Sequence, residues 1–193
     1  MKFLNTRGLG LIGIISAPWM FIDFINNGLY DRFHSTSVSG IRNFIFITGW
    51  MCSVVGLYKL RAMGVKRWQK NVVIIQIVFL CLADSWCIFQ IFVPDSPSLI
   101  FYLLNFSWLL AGFFMIITGI VIIRAKRLKG WKRYMPLLAG FWFPQTTLLY
   151  LIGAVSFNPL MISGIYATIV FSLLGLSLVI NGYEAPIKKQ AVF

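Results

Sequence analysis

The chain has 193 residues, of which 59% are hydrophobic and only 11% are charged, and its net charge is +12. A soluble domain carries about 25% charged residues, so this chain has too few to cover a surface that faces water. The composition excludes a soluble enzyme, a disordered tail, a disulfide scaffold and a nucleic-acid-binding domain. It predicts an all-α integral membrane protein, with one transmembrane domain over residues 1–193.

Six apolar stretches are long enough to cross about 30 Å of hydrocarbon, which takes roughly 20 helical residues. Backbone amides in lipid must be paired within their own segment, so each stretch is predicted to be a helix. The predicted helices cover residues 8–30, 41–61, 71–93, 98–124, 135–155 and 160–182. Residues predicted to mark their ends are Lys59, Arg61, Asp95, Pro97, Arg124, Asn158 and Pro159.

The first stretch resembles a signal peptide, because Lys2 and Arg7 precede an apolar run. Pro18 directly follows the small residue Ala17, and the apolar run continues beyond both. Neither feature fits a cleavage site, so this stretch is predicted to be a retained helix.

Basic residues are distributed unevenly between the two ends of the predicted helices. Arg32 and Arg42 lie on one side, whereas the other 15 of the 17 Lys and Arg residues lie on the opposite side. This positive-inside pattern predicts cytoplasmic N and C termini. The short basic loops suggest a bacterial inner membrane and are predicted to lie against anionic lipid headgroups, with an acidic cytoplasmic partner as the alternative.

A shift of 63 residues aligns glycines in the second, fourth and sixth predicted helices. The two aligned sets are Gly49, Gly112 and Gly175, and Gly56, Gly119 and Gly182. Small residues allow membrane helices to approach closely. The alignment predicts three tandem two-helix hairpins, and the alternative is a chance match between glycine-rich helices.

Asp23 and Asp84 lie inside predicted helices, where acidic residues are costly and are candidates for function. Counted along their helices, they lie about 22 and 20 Å from the cytoplasmic ends, so we expect both at similar depth in the outer half. Asn105, about 10 Å below the outer end of the fourth helix, is expected near the same layer.

Polar and aromatic residues of the first helix share one face, which we expect to point into the bundle or a water-filled cavity. They are Trp19, Asp23, Asn26, Asn27 and Tyr30. The predicted ligand-binding set is Asp23, Asp84, Trp19, Asn26, Asn27, Asn105, Trp108 and Gln145, with Trp50 and Trp86 as further aromatic walls. Carboxylates beside indole rings favour a cation or an amine. The alternatives are that both acids only connect helices through hydrogen bonds, or that Asp23 is hydrated at the outer interface.

His34 is the only histidine, which excludes a bis-histidine haem and a three-histidine zinc site. Glycine-rich phosphate-binding motifs are also missing, so no cofactor, metal or catalytic residue is predicted. The loop from Asp31 through His34 to Ser37 and Ser39 contains an acid, a base and hydroxyls, but an ordinary surface loop has the same composition.

The size, six predicted helices and cytoplasmic termini resemble the substrate-binding subunits of energy-coupling-factor vitamin transporters. That family has an Ala-x-x-x-Ala pattern in its first helix, where this chain has Gly8, Gly10, Gly13 and Ala17. The resemblance covers architecture and implies a membrane subunit that binds a small substrate.

Three functions therefore fit the sequence. Binding or transport of a small solute is favoured. A structural or assembly subunit, as a homo-oligomer or with another membrane protein, is the alternative. An intramembrane enzyme acting on lipid or quinone is the third, and it needs Asp23 with Asp84, or His34 with Asp31, as an acid–base pair.

Overall fold

The computed structural model describes residues 5–27, 36–94, 98–152 and 159–190, except for the side chains of Asn27, Tyr150 and residues 183–190. Within these ranges the chain is helical and contains no strand. The helices are α1 (Thr6–Ser16), α2 (Pro18–Asn27), α3 (Ser37–Lys59), α4 (Arg67–Phe92), α5 (Leu99–Ala125), α6 (Met135–Leu151) and α7 (Pro159–Gln190). A short 3-10 turn, Gly130–Arg133, lies between α5 and α6.

Five helical spans in the described part of the chain are long and apolar enough to cross a membrane. They are Thr6–Asn26, Ser37–Lys59, Arg67–Phe92, Leu99–Ala125 and Pro159–Gly182. These spans support the prediction of an all-helical membrane protein. The predicted helix at 135–155 corresponds to α6, which has 17 residues, so a sixth span stays a prediction.

The first span contains a proline near its middle, where a regular helix over 8–30 was expected. Proline has no backbone N–H and its ring crowds the preceding turn, so one helical hydrogen bond is lost at Pro18. Helix α1 ends at Ser16 and α2 begins at Pro18, but Ala17 between them is helical (φ −56°, ψ −40°) and its N–H donates to the Gly13 carbonyl at 3.2 Å, so α1 and α2 form one span.

Several sequence predictions concern residues outside the described ranges. These are the ends at Asp95, Pro97 and Asn158, the outer end of the first helix at Tyr30, and the loop residues Asp31 and His34.

The helices form a closed ring in which neighbours in the chain pack side by side and α7 returns to α1. Helices α3 and α7 also touch each other, and α2 packs against both. Buried aromatic rings fill the centre: Phe171 lies edge-on to Phe46 and Trp50, with ring centroids 5.0 and 5.2 Å apart. Trp142 of α6 joins this cluster through Phe46 at 6.5 Å.

The aligned glycines lie at helix contacts, but their surroundings differ. A Cβ atom built on Gly175 would lie 2.6 Å from the carbonyl oxygen of Gly10, so α7 touches the backbone of α1. Gly49 also faces α1, where a Cβ would overlap the Ser16 side chain. Gly112 faces α6 and has room for a Cβ. The aligned glycines therefore differ in their structural surroundings. The repeat of 63 residues stays a prediction.

Candidate intramembrane site

Asp23 is a buried carboxylate that is held by side chains of α3. Its residue is 5% exposed. The Ser39 hydroxyl donates to Asp23 Oδ2 at 2.9 Å, and Arg42 Nη1 lies 3.5 Å from Oδ1. Asn43 Nδ2 donates in turn to Ser39 Oγ at 3.3 Å. A carboxylate paired with a guanidinium and a hydroxyl connects α2 to α3, and its negative charge is already balanced.

Asp84 on α4 is equally buried but has fewer partners. Its residue is 8% exposed, and the Thr48 hydroxyl of α3 donates to Oδ2 at 3.3 Å. Asp84 Oδ1 is buried and makes no hydrogen bond to any described residue. A buried polar atom without a hydrogen bond costs about 1–3 kcal/mol, and more when it belongs to a charged group. This oxygen therefore has the capacity to accept a hydrogen bond or to bind a cation.

The two acids do not share one layer of the bundle, contrary to the sequence prediction. Their partners on α3, Ser39 and Thr48, are nine residues apart, which corresponds to about 13 Å along the helix. The expectation was wrong because it counted depth from the helix ends and treated both helices as starting at one level. The separation also removes the direct acid–base pair that an enzyme using Asp23 with Asp84 would need.

Two further buried acceptor atoms lie on α4 near the face of Asp84. They are Gln76 Oε1 and Gln90 Oε1, neither of which has a hydrogen bond within the described residues. Gln76, Asp84 and Gln90 fall within about a third of the circumference of α4 and extend over roughly 21 Å of its length. Gln76 also donates from Nε2 to the Ala111 carbonyl at 2.9 Å, which fixes the register of α4 against α5. The inner face of α4 thus presents acceptor oxygens at three levels.

Asn105 lies close to the level of Asp84. Because Gln76 pairs with Ala111 and the helices run in opposite directions, Asn105 is level with residue 82, about 3 Å along the axis from Asp84. Asn105 is half-buried. This position agrees with the expectation that Asn105 and Asp84 lie in one layer, although Asp23 does not share it.

The polar face predicted for the first helix is only partly turned inwards. Trp19 is half-buried and packs against the hydrophobic core. Asn26 is exposed, and its side chain donates to the Ile22 carbonyl of its own helix at 2.8 Å. Asn26 is therefore not buried in the bundle, and a water-filled cavity at this position stays a prediction. The side chain of Asn27 lies outside the described part of the structure.

The predicted aromatic walls belong to different helix contacts. Trp108 is edge-on to Trp142 at 5.0 Å, between α5 and α6. Trp50 packs in the central cluster with α7, and Trp86 packs against Phe101 of α5 at 6.0 Å. Trp50, Trp86 and Trp108 thus each pack against an aromatic ring of a different helix pair.

Gln145 lies on α6 next to Pro144, as predicted. It is half-buried, and its Oε1 atom is buried without a hydrogen bond within the described residues. Nearby, the Thr146 hydroxyl bonds to Ser163 Oγ of α7, and Trp142 Nε1 donates to the Ser163 carbonyl at 3.2 Å. The polar contact between α6 and α7 is therefore made by Trp142 and Thr146, on either side of Gln145 in the sequence.

Sequence reasoning missed the α3 partners of both acids. Arg42 is one of the two basic residues on the predicted outer side, and a cation there was a signal for pairing with an acid predicted in the outer half. Thr48 gave no comparable signal, because a single hydroxyl in an apolar helix is common and often bonds to its own backbone.

Comparison with family models, curated proteins and solved structures found no match for this chain. The fold defines its class as an all-helical protein with helices suited to a membrane.

Proposed function

We propose that the chain is a multi-pass protein of the bacterial inner membrane that binds or transports a small cation or amine at Asp84. In this proposal α6 completes a sixth span and both termini are cytoplasmic. The observation that carries the proposal is the buried Oδ1 atom of Asp84, which lacks a hydrogen bond within the described structure. Asp23 connects helices in this proposal and does not bind the ligand.

The polarity of the α4 face supports a ligand that donates hydrogen bonds. Asp84, Gln76 and Gln90 each have a side-chain oxygen without a hydrogen bond to a described residue. The amide oxygens are acceptors, and so is the Asp84 oxygen when its carboxylate is ionised. A protonated amine or a hydrated metal cation supplies donors and positive charge, whereas an anion supplies neither. Trp50, Trp86 and Trp108 pack on other aromatic rings. The preference for a cation therefore comes from charge and hydrogen bonding, and not from cation–π contact.

Pro18 of the first span lies near the level of Asp84, which adds a polar backbone group at that depth. Thr48 contacts Asp84, and the next residue, Gly49, faces Ser16, two residues before Pro18. Because proline has no backbone N–H, the Ile14 carbonyl lacks the donor that a helix normally supplies four residues on.

Thermal unfolding in a mild detergent tests the site directly. The wild-type protein is heated with monovalent cations and with methylamine, choline and putrescine, and native mass spectrometry of the same preparation identifies any retained adduct. We expect one class of cation to raise the unfolding temperature of the wild type and not that of Asp84→Asn. Asp23→Asn is the matched control, because it removes a buried carboxylate that is already paired.

An Asp84→Asn protein that keeps the wild-type response would contradict the proposal, and so would a response lost only in Asp23→Asn. A constant second polypeptide or a stable homo-oligomer, with no cation response, would favour the alternative of a structural or assembly subunit.

A further inference from the structure

The turn between α3 and α4 has a well-defined backbone with an unusual residue at its centre. The Arg61 N–H donates to the Tyr58 carbonyl at 2.9 Å, and the Ala62 N–H donates to the Leu57 carbonyl at 3.1 Å. These two bonds form a Schellman motif, which usually has glycine in the left-handed position. Here that position is occupied by Arg61, with φ of 51°. An arginine thus occupies a position where the backbone conformation favours glycine.

A cavity of about 230 Å³ opens beside this turn. Its lining residues are Tyr58, Lys59, Arg61, Met63, Gly64 and Lys70. Met63 and Gly64 are buried, whereas the basic side chains and Tyr58 are exposed. Gln69 fixes the far side of the turn, since its Oε1 accepts from the backbone N–H of Lys66 at 3.1 Å. The cavity therefore has a fixed apolar and backbone side and a polar, cationic rim.

The charges of the cavity define the ligand class. Lys59, Arg61 and Lys70 are cationic, and none of the described residues that line the cavity is acidic. Lys70 lies in the first turn of α4, where the helix dipole adds positive potential. Arginine matches the geometry of phosphate oxygens, and Tyr58 supplies a further hydroxyl donor. We propose that this cavity binds a phosphate monoester group.

The size and position of the cavity are consistent with a headgroup. Pockets for drug-sized ligands occupy about 300–1,000 Å³, so this cavity holds a phosphate group better than a whole metabolite. It lies where the spans Ser37–Lys59 and Arg67–Phe92 meet at the predicted cytoplasmic face, which is the level of lipid headgroups. The phosphate therefore comes from an anionic lipid or from a soluble phosphate. This site is independent of Asp84.

Native mass spectrometry in mild detergent distinguishes these sources. The protein is titrated with phosphatidic acid, a phosphate monoester, and with phosphatidylglycerol, a diester, while inorganic phosphate is tested by its effect on the unfolding temperature. We expect one tightly bound phosphatidic acid, with at least tenfold weaker binding of phosphatidylglycerol, if the source is lipid. Stabilisation by inorganic phosphate without selective lipid binding would identify a soluble source.

Two variants and a matched control locate the site. Arg61→Gly and Lys70→Gln are each expected to weaken binding about tenfold or more, the range for a lost hydrogen bond to a charged group. Arg61→Gly suits the left-handed backbone, so a loss of binding there is not a loss of folding. Lys126→Gly is the control, because Lys126 is also left-handed (φ 52°) and its replacement removes the same charge at another turn.

Wild-type binding in both Arg61→Gly and Lys70→Gln would overturn the proposal, because the cavity would then not be the binding site. An equal loss of binding in Lys126→Gly would also overturn it, because it would indicate diffuse attraction to positive charge. Absence of binding by phosphatidic acid and by inorganic phosphate in the wild type would overturn it as well.

Discussion

Two glycines that the 63-residue shift makes equivalent are expected to respond oppositely to alanine. A Cβ on Gly175 would lie 2.6 Å from the Gly10 carbonyl oxygen and 3.0 Å from the backbone nitrogen of Ile14. Ordinary contact begins near 3.4 Å, so α1 and α7 would have to separate by about 0.8 Å. Among the described residues, a Cβ on Gly112 would have only Phe143 Cβ within 4 Å, at an ordinary 3.5 Å.

These distances give opposite signs for the change in stability. Overpacking costs about 1–3 kcal/mol, and alanine recovers up to about 1 kcal/mol through its better helix propensity. Gly175→Ala is therefore expected to lower the free energy of unfolding by about 1–2 kcal/mol. Gly112→Ala is expected to raise it by about 0.5–1 kcal/mol, since propensity improves without a clash.

Reversible unfolding in mixed micelles, followed by circular dichroism, measures both variants against the wild type. The expected gap of about 2 kcal/mol is roughly a thirtyfold difference in the unfolding equilibrium. Equal changes for Gly112→Ala and Gly175→Ala would refute the packing argument and would favour three equivalent hairpins.

Three further variants test contacts at the helix ends. Arg42→Met is expected to lower the free energy of unfolding by about 2 kcal/mol, because it leaves Asp23 partly unpaired. In a double-mutant cycle of unfolding, the combined Arg42→Met and Asp23→Asn variant should lose less stability than the two single variants together. Lys132 Nζ donates to Asn181 Oδ1 at 3.1 Å, so Lys132→Met should lose about 1–2 kcal/mol in chemical denaturation, whereas an unchanged midpoint would contradict a role for this bond. Arg61→Gly should gain about 1 kcal/mol by relieving the left-handed conformation, and a lower unfolding temperature would show that the arginine stabilises the turn.

The sequence predicted helix ends best where an apolar run stops at charged residues, whereas α7 continues to Gln190, beyond its predicted end at 182. Helix α3 ends at Lys59 and α5 ends at Ala125, next to the predicted end at Arg124. The loss of one helical hydrogen bond at Pro18 was not predicted, because the apolar run continues across it. Hydropathy measures the preference for lipid, and it is insensitive to a missing backbone hydrogen bond.

The packing of the aligned glycines could not be predicted in the same way. Spacing shows that Gly112 and Gly175 recur on their helices, but it carries no information on which neighbour each helix meets. In the structure the former faces α6 and the latter faces α1. The partner depends on the order of helices in the ring, which follows from short connections and from the return of α7 to α1.

The two intramembrane acids show most clearly which information the sequence lacks. Asp23 and Asp84 each lie 17 residues beyond the first residue of their span, Thr6 and Arg67, so counting along the chain makes them alike. Their environments differ because each helix starts at its own level relative to α3. That offset places Asp23 beside Arg42, which balances its charge, and Asp84 beside Thr48, which satisfies one oxygen only. A function for an intramembrane carboxylate therefore depends on its unpaired atoms, and depth alone is a poor guide to it.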